Sequence, residues 1–201
     1  LKKIKDLVEN RLPKKVDDLD RYLSGNEIVR ARTEGVGVIT GEHAIALSIT
    51  GPVLRASGIP YDIRRADPYS LYERFDFDVV IGQHGDIYDR YKVRLGEIRQ
   101  SIRILQQVLQ QMPKEGPILT GKLQYQVRVP AGEAYGRVEG PKGELGFYVV
   151  SEGKPNPKRY HVRAPSFINL TGLAEMSRGE KVADVVAVLG SIDIVLGEVD
   201  R

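Results

Sequence analysis

The chain has 201 residues and a net charge of +3, long enough for one or two domains with a real core. Its acids and bases are interleaved, which is too balanced to point to nucleic acid, and the absence of cysteine excludes disulfides, thiolate metal sites, cysteine nucleophiles and self-ligated iron–sulfur clusters. No stretch reaches the roughly 20 apolar residues of a membrane span; Val182–Leu196 comes nearest and is interrupted by Asp184 and Asp193. A soluble or peripheral chain is expected. It starts at Leu1 with a charged amphipathic stretch and no signal-peptide pattern, so a portion upstream of Leu1 is expected.

Leu1–Leu23 reads as a helix: Ile4, Leu7, Val8, Leu12, Val16, Leu19 and Leu23 recur at three- and four-residue steps. Pro13 predicts a kink or a break, and the short basic runs at Lys2–Lys5 and Lys14–Lys15 read as a solvated face. Ser24-Gly25-Asn26 stops the helix. Glu27–Thr33 is a short helix, Gly35–Thr40 a loop, and Gly41–Ser48 a helix with Thr40 as N-cap. Pro52 suits the first turn of the next helix and Gly58 its C-terminal cap. Tyr61–Phe77 reads as an irregular loop dense in acids, arginines and rings. It is either a packed surface loop held by Asp–Arg pairs or a contact surface.

Asp86 can cap the longest helix, with Asp89 at the capping-box position. Ile87, Tyr91, Leu95, Ile98, Ile102, Leu105 and Leu109 form its bundle stripe; Val93, Ile104 and Val108 add a second apolar side. Arg90, Arg94, Glu97 and Arg99 crowd its first half and need partners, in the preceding loop or in another subunit. Pro113 ends the helix. From Gly116 the texture changes. Leu123, Tyr125, Val127 and Val129 alternate as a strand, Gly132–Gly140 reads as a glycine-broken segment, and Gly146–Ser151 with Arg159–Arg163 reads as a hairpin. Ala164-Pro165-Ser166 opens a short helix through Leu170, and Glu180–Leu189 is a last one.

The tail, Ser191–Arg201, sets Asp193, Glu198 and Asp200 among Ile192, Ile194, Val195, Leu196 and Val199. Termini are usually polar and frayed, so this one reads either as docked or as a helix or strand end that carries charge. The residues alone describe a mostly helical α+β chain with a small antiparallel sheet inserted late. There is no GxSxG elbow, no phosphate loop, and no metal-ligand spacing among His43, His84 and His161.

At Glu133–Ser151, and in order through GVGVIT, TGPVLRASGIPYDIR, PYSLYERFDFDV, GDIYDRYKVRLGEIRQS, RVEGPKGELGFYVVSEG, VRAPSFINL and DIVLGEVDR, a family pattern emerges. The chain resembles the C-terminal portion of the hydrogenase-large-subunit-like subunit of NADH–quinone oxidoreductase (respiratory complex I), the one related to the large subunit of nickel–iron hydrogenases. The resemblance implies a hydrogenase-large-subunit-like helical bundle over 1–115, a sheet insertion over 116–164, and C-terminal helices with a docked tail over 165–201. It also implies the peripheral arm of a proton-pumping translocase, on the cytoplasmic side of the cell membrane. The implied partners are a small iron–sulfur subunit, other peripheral-arm subunits and the quinone-channel membrane subunit. Quinone is the substrate, the iron–sulfur cluster belongs to the partner, and this chain binds no cofactor.

Aligned on Asp193, the Asp-Pro-Cys-x-x-Cys tail of the hydrogenase relatives would place its metal-binding cysteines at Val195 and Glu198. Without thiolates that chemistry is excluded. In the complex I relatives the vacated pocket holds the quinone head group. Asp193, Val195, Glu198 and Lys142 are therefore expected at that pocket, with Asp62, Arg64, Asp89, Arg90 and Arg94 as candidates for subunit contacts. Three departures qualify the likeness. The quinone-binding His and Tyr are expected upstream of Leu1, Pro113–Gly132 is short, and Lys14 stands where many relatives have a histidine. The last two suggest a compact, archaeal-type member with a different donor or acceptor. Ferredoxin- or deazaflavin-linked relatives, and a non-catalytic scaffold of the same fold, are the alternatives.

Overall fold

The structure is a computed structural model and describes residues 1–113, 115–117, 119, 121 and 128–200. The N-terminal helix is nearly continuous. It runs through α1 (Lys2–Asp6), a π-helical turn over Leu7–Arg11, α2 (Leu12–Leu19) and a second π-helical turn over Asp20–Ser24. Pro13 therefore does not break it. Proline has no N–H to donate, and the wide turn just before it carries the irregularity, with the Leu12 N–H donating to Leu7 O. Val8 and Val16 are buried against Leu95 and Ile102, whereas Ile4, Leu7, Leu19 and Leu23 stay exposed.

Five helices follow: α3 (Glu27–Thr33), α4 (Gly41–Ala46), α5 (Pro52–Ala56), α6 (Ile63–Ala66) and α7 (Ile87–Gln111). Four of their starts are capped by side chains. Asn26 accepts from the Ile28 and Val29 N–H groups, Thr40 from His43 N–H, Asp62 from Arg64 N–H and Asp86 from Asp89 N–H. The capping box at α7 is only half formed, because the Asp89 carboxylate instead accepts from the Gln83 and His84 N–H groups. Met112 is extended, as the residue before a proline prefers. The α7 stripe is also split. Ile87, Leu95 and Ile102 are buried, but Ile98 and Leu105 are exposed. Ile98 borders the charged cleft described below, and Leu105 borders an apolar groove with Leu71 and Phe75.

Asp20 joins the N-terminal helix to α7. It accepts from Lys92 Nζ at 3.0 Å and Arg99 Nη2 at 2.8 Å, and Ser24 Oγ donates to it as well. These donors, Ser24 first, then Arg99 and Lys92, hold its carboxyl far below the usual range. A carboxyl lowered on folding stabilises the fold above its unfolded value, about 4, and that contribution fades as pH falls through the folded value. Asp20→Asn is expected to lower unfolding free energy by about 1 kcal/mol at neutral pH, and by much less once the pH is below both values. Denaturation at the two pH values checks this.

The sheet is antiparallel in the order β1 (Gly132–Gly140), β2 (Gly143–Ser151) and β3 (Arg159–Arg163). Gly132–Gly140, expected to be broken by its glycines, is a full strand, in register with β2 from Gly132↔Ser151 to Gly140↔Gly143. The continuous ladder outweighs the weak strand preference of glycine. The strand expected at Leu123, Tyr125, Val127 and Val129 lies mostly outside the described residues; Val129 is described and is not in a strand.

After the sheet come α8 (Pro165–Asn169), a 3-10 turn (Leu170–Gly172), α9 (Leu173–Met176), α10 (Val182–Ile192) and α11 (Leu196–Val199). The main core joins Ile39, Ile49, Val53, Leu54 and Ile87 to Met176, Val188 and Ile192, each worth about 1.5–3 kcal/mol when fully buried. Among the described residues no helix is long and apolar enough to cross a membrane.

Candidate functional site

The site begins at the β1–β2 turn. Pro141 and Lys142 form its tip, and the tip is clamped to the loop before α5. Gly51 has φ +74°, and a Cβ there would lie 2.5 Å from Gly143 Cα and 2.6 Å from Lys142 O. Only glycine permits both the conformation and the approach. Asn169, fully buried, completes the clamp. Its Oδ1 accepts from Thr50 N–H at 3.1 Å, and its Nδ2 donates to Thr50 O at 3.2 Å and Lys142 O at 3.0 Å. Thr50 Oγ1 accepts from Glu144 N–H at 3.0 Å.

The second half of the site is the end of α10. Asp193 caps that helix in the left-handed conformation, φ 62°, which aspartate tolerates better than most residues. This turn brings its carboxylate to the hairpin tip. Lys142 Nζ donates to Asp193 Oδ2, and Arg94 Nε lies 3.5 Å from the same oxygen. Arg94 Nη2 also donates to Ile192 O at 3.1 Å. Arg90, wholly buried, donates to Ser191 Oγ at 2.9 Å, Gly85 O at 2.9 Å and Gly37 O at 2.8 Å. Cations thus gather at the negative end of the helix. Burial, then its neighbour Arg94, pushes Arg90 down to about 10, so it is still charged at neutral pH. Ser166 pins the tail beyond Asp193: its Oγ accepts from Val195 N–H at 3.1 Å, and its N–H donates to Glu198 Oε2 at 3.0 Å.

Between the two halves lies a cleft of about 360 Å³, lined by Arg55, Arg64, Arg94, Glu97, Glu139, Asp193 and neighbours. Arg55 is 1% exposed. Its Nε donates to Glu97 at 2.5 Å, and its Nη1 donates to Glu139 and to Tyr61 O, both at 2.9 Å. Arg64 forms a two-pronged pair with Asp62. Burial opposes the charge of Arg55, but Glu97 and Glu139 outweigh it and raise its proton affinity. Burial likewise opposes ionised Asp62, where the bonds from Arg64 prevail and lower it. At Glu139 burial wins, and its carboxyl is pushed above the usual range. Among the described residues no group of three or more His, Cys, Asp or Glu could hold a metal.

The family model described as respiratory-chain NADH dehydrogenase, 49 kDa subunit, matches residues 1–127 and 120–201. This chain belongs to that family. It is 57% identical over 205 residues to an NADH-quinone oxidoreductase subunit of Roseiflexus sp. (strain RS-1), covering 98% of this chain and 54% of that protein. It is 55% identical over 201 residues to the corresponding NADH-quinone oxidoreductase subunit of Dehalococcoides mccartyi (strain ATCC BAA-2266 / KCTC 15142 / 195), covering 100% of this chain and 53% of that protein. The chain spans about half the length of the curated relatives it matches.

Within this family chain, Lys142 and Asp193, distant in sequence, meet. Val195 lies two residues beyond Asp193 and is partly exposed, while Glu198 turns back to Ser166. The charges considered for subunit contacts have partners inside the chain: Asp62 with Arg64, Asp89 with the Gln83–His84 turn, Arg90 with carbonyls and Ser191, and Arg94 with the α10 terminus. Arg55 and Glu139 had not been singled out from the sequence. The available signal was an arginine within Pro52-Val53-Leu54-Arg55-Ala56, a helix buried along its whole length.

Proposed function

We propose that this chain forms the head-group end of the quinone-reduction pocket of a proton-pumping NADH:quinone oxidoreductase, with Asp193, Lys142 and Val195 lining it and Glu198 behind them. What carries the reading is the Lys142–Asp193 contact, made between a clamped hairpin tip and a helix end beside a charged cleft that Asp193 lines. The names of the relatives support the reaction class.

In this reading the fold is the hydrogenase-large-subunit-like bundle with its metal site emptied. Electrons arrive from the iron–sulfur cluster of a small partner subunit, and the acceptor takes two electrons and two protons to become quinol. Lys142 and Asp193 share a hydrogen bond, which sets a proton donor and an acceptor side by side at the acceptor's head group. The chain sits in the peripheral arm on the cytoplasmic side, against other arm subunits and the quinone-channel membrane subunit.

Asp193→Asn and Lys142→Met, each in the assembled complex, are expected to lower quinone reduction by about a hundredfold and to weaken quinone-site inhibitors. Electron transfer from NADH to an artificial acceptor upstream should stay normal. Normal assembly with undiminished quinone reduction and inhibitor sensitivity would sink the proposal and leave the scaffold role. Turnover with ferredoxin or a deazaflavin in place of NADH would reassign the donor.

A further inference from the structure

Around Arg55, in the cleft wall and just behind it, lie three carboxylates and two guanidiniums, all mostly shielded from water. Glu97 and Glu139 bond Arg55 at 2.5 and 2.9 Å, and Asp62 lies 3.9 Å from it. Arg64 pairs directly with Asp62, and its charge also reaches Glu139 and Glu97. Arg94, on the same cleft, also faces Glu97, and with it counted the guanidiniums match the carboxylates when every group is ionised.

Among the three acids, Asp62 has the two-pronged arginine and a backbone N–H, and Glu97 takes the shortest bond from Arg55. Glu139 is 4% exposed, shares one nitrogen of Arg55 with Tyr61 O, and receives only a long 3.4 Å bond from Ile63 N–H. It is the least supported as an anion, in keeping with the upward push that burial gives it. The groups facing it are Arg55 from α5, Asp62 and Arg64 at the start of α6, Tyr69, whose hydroxyl accepts from Glu139 N–H, and Glu97 from α7.

Glu139 lines the same cleft as Asp193 and stands three residues before Lys142 on the same hairpin. The cleft, about 360 Å³, has room for water between Glu139 and Asp193.

We propose that Glu139 is the proton-holding carboxyl of this cleft, passing a proton through water to the Lys142–Asp193 pair as the acceptor is reduced. The inference rests on the function proposed above. In the balanced step the quinone gains two electrons from NADH by way of the partner's cluster, and two protons. Glu139 supplies one proton, becomes a carboxylate opposite Arg55, and is reprotonated from solvent through the cleft; the second proton comes from solvent directly.

The test uses the whole complex with Glu139→Gln and Glu139→Asp. The glutamine variant should assemble, keep its quinone KM within about twofold and lose about tenfold or more in kcat. It should also lose one carboxylic C=O band from the redox-induced infrared difference spectrum. Glu139→Asp should keep a shifted band and recover part of kcat, with an altered pH profile. The aspartate variant also decides the matter if the glutamine variant does not assemble. An unchanged band in either variant, or wild-type kcat in Glu139→Gln across the neutral and alkaline range, overturns the proposal. If Asp193→Asn and Lys142→Met impair quinone reduction while Glu139→Gln does not, this inference alone fails; if none of the three impairs it, the quinone-pocket reading fails first.

Discussion

Replacing Arg55 with methionine should destabilise the fold by about 3–5 kcal/mol, the usual cost of leaving buried charges without their partner. The side chain is 2% exposed and its ion-pair partners Glu139 and Asp62 are 4% and 1% exposed. Methionine fills much of the volume, so packing loss is small and the loss reports chiefly on charge. Arg103 provides the contrast. It pairs with Asp76 and Asp78, whose side chains are 73% and 74% exposed, and Arg103→Ala should cost under about 1 kcal/mol. Equilibrium denaturation of the two variants compares them directly. Equal losses would mean that water reaches the Arg55 cluster freely.

The second large effect is expected at Gly51. Its backbone, φ 74° and ψ −151°, lies in a region that other residues enter at a cost of about 1–3 kcal/mol. The methyl of Gly51→Ala would also collide with the backbone of Lys142 and Gly143, so the hairpin tip must lift. The expected outcome is a loss of about 3 kcal/mol in stability. Faster hydrogen exchange at Glu144 N–H, which donates to Thr50, should accompany it. If Lys142 acts from this tip, a displacement near 1 Å lowers quinone reduction by roughly a hundredfold. Intact exchange protection with lost activity would separate the tip's position from its chemistry.

The local elements were legible because their causes are local. Thr40 and Asp86, expected as caps, each stand one residue before a helix and accept N–H groups from its first turn; Asn26 and Asp62 do the same, although Tyr61–Phe77 was expected to be irregular and α6 lies within it. Pro52 and Pro113 mark a start and a stop for the steric reasons that apply to any chain. The motif order was also enough to reach the family, since long runs of particular residues are a property of the sequence itself.

The sheet, the charge partners and the site were not legible in the same way. Gly132–Gly140 became a strand because β2 lies beside it, a contact that local propensity cannot represent. Ile98 and Leu105 have the helical spacing of core residues but face a polar cleft and an apolar groove. Arg90 was expected to find a carboxylate or another subunit. It found two carbonyls and a hydroxyl, contributed by the loop at Gly37, the turn at Gly85 and the end of α10.

By itself, the sequence determined most of the longer helices and the caps at Thr40 and Asp86, the late antiparallel hairpin, the absence of thiolate chemistry and the family. Only the tertiary structure decided that Lys142 meets Asp193, that Arg94 stands over the same carboxylate, and that Glu139 shares Arg55 with Glu97. The reason is range. Capping and periodicity act over one or two turns of chain, whereas these contacts join residues tens of positions apart. They form only when Gly51 and Asn169 hold the hairpin tip and the left-handed turn at Asp193 aims the tail.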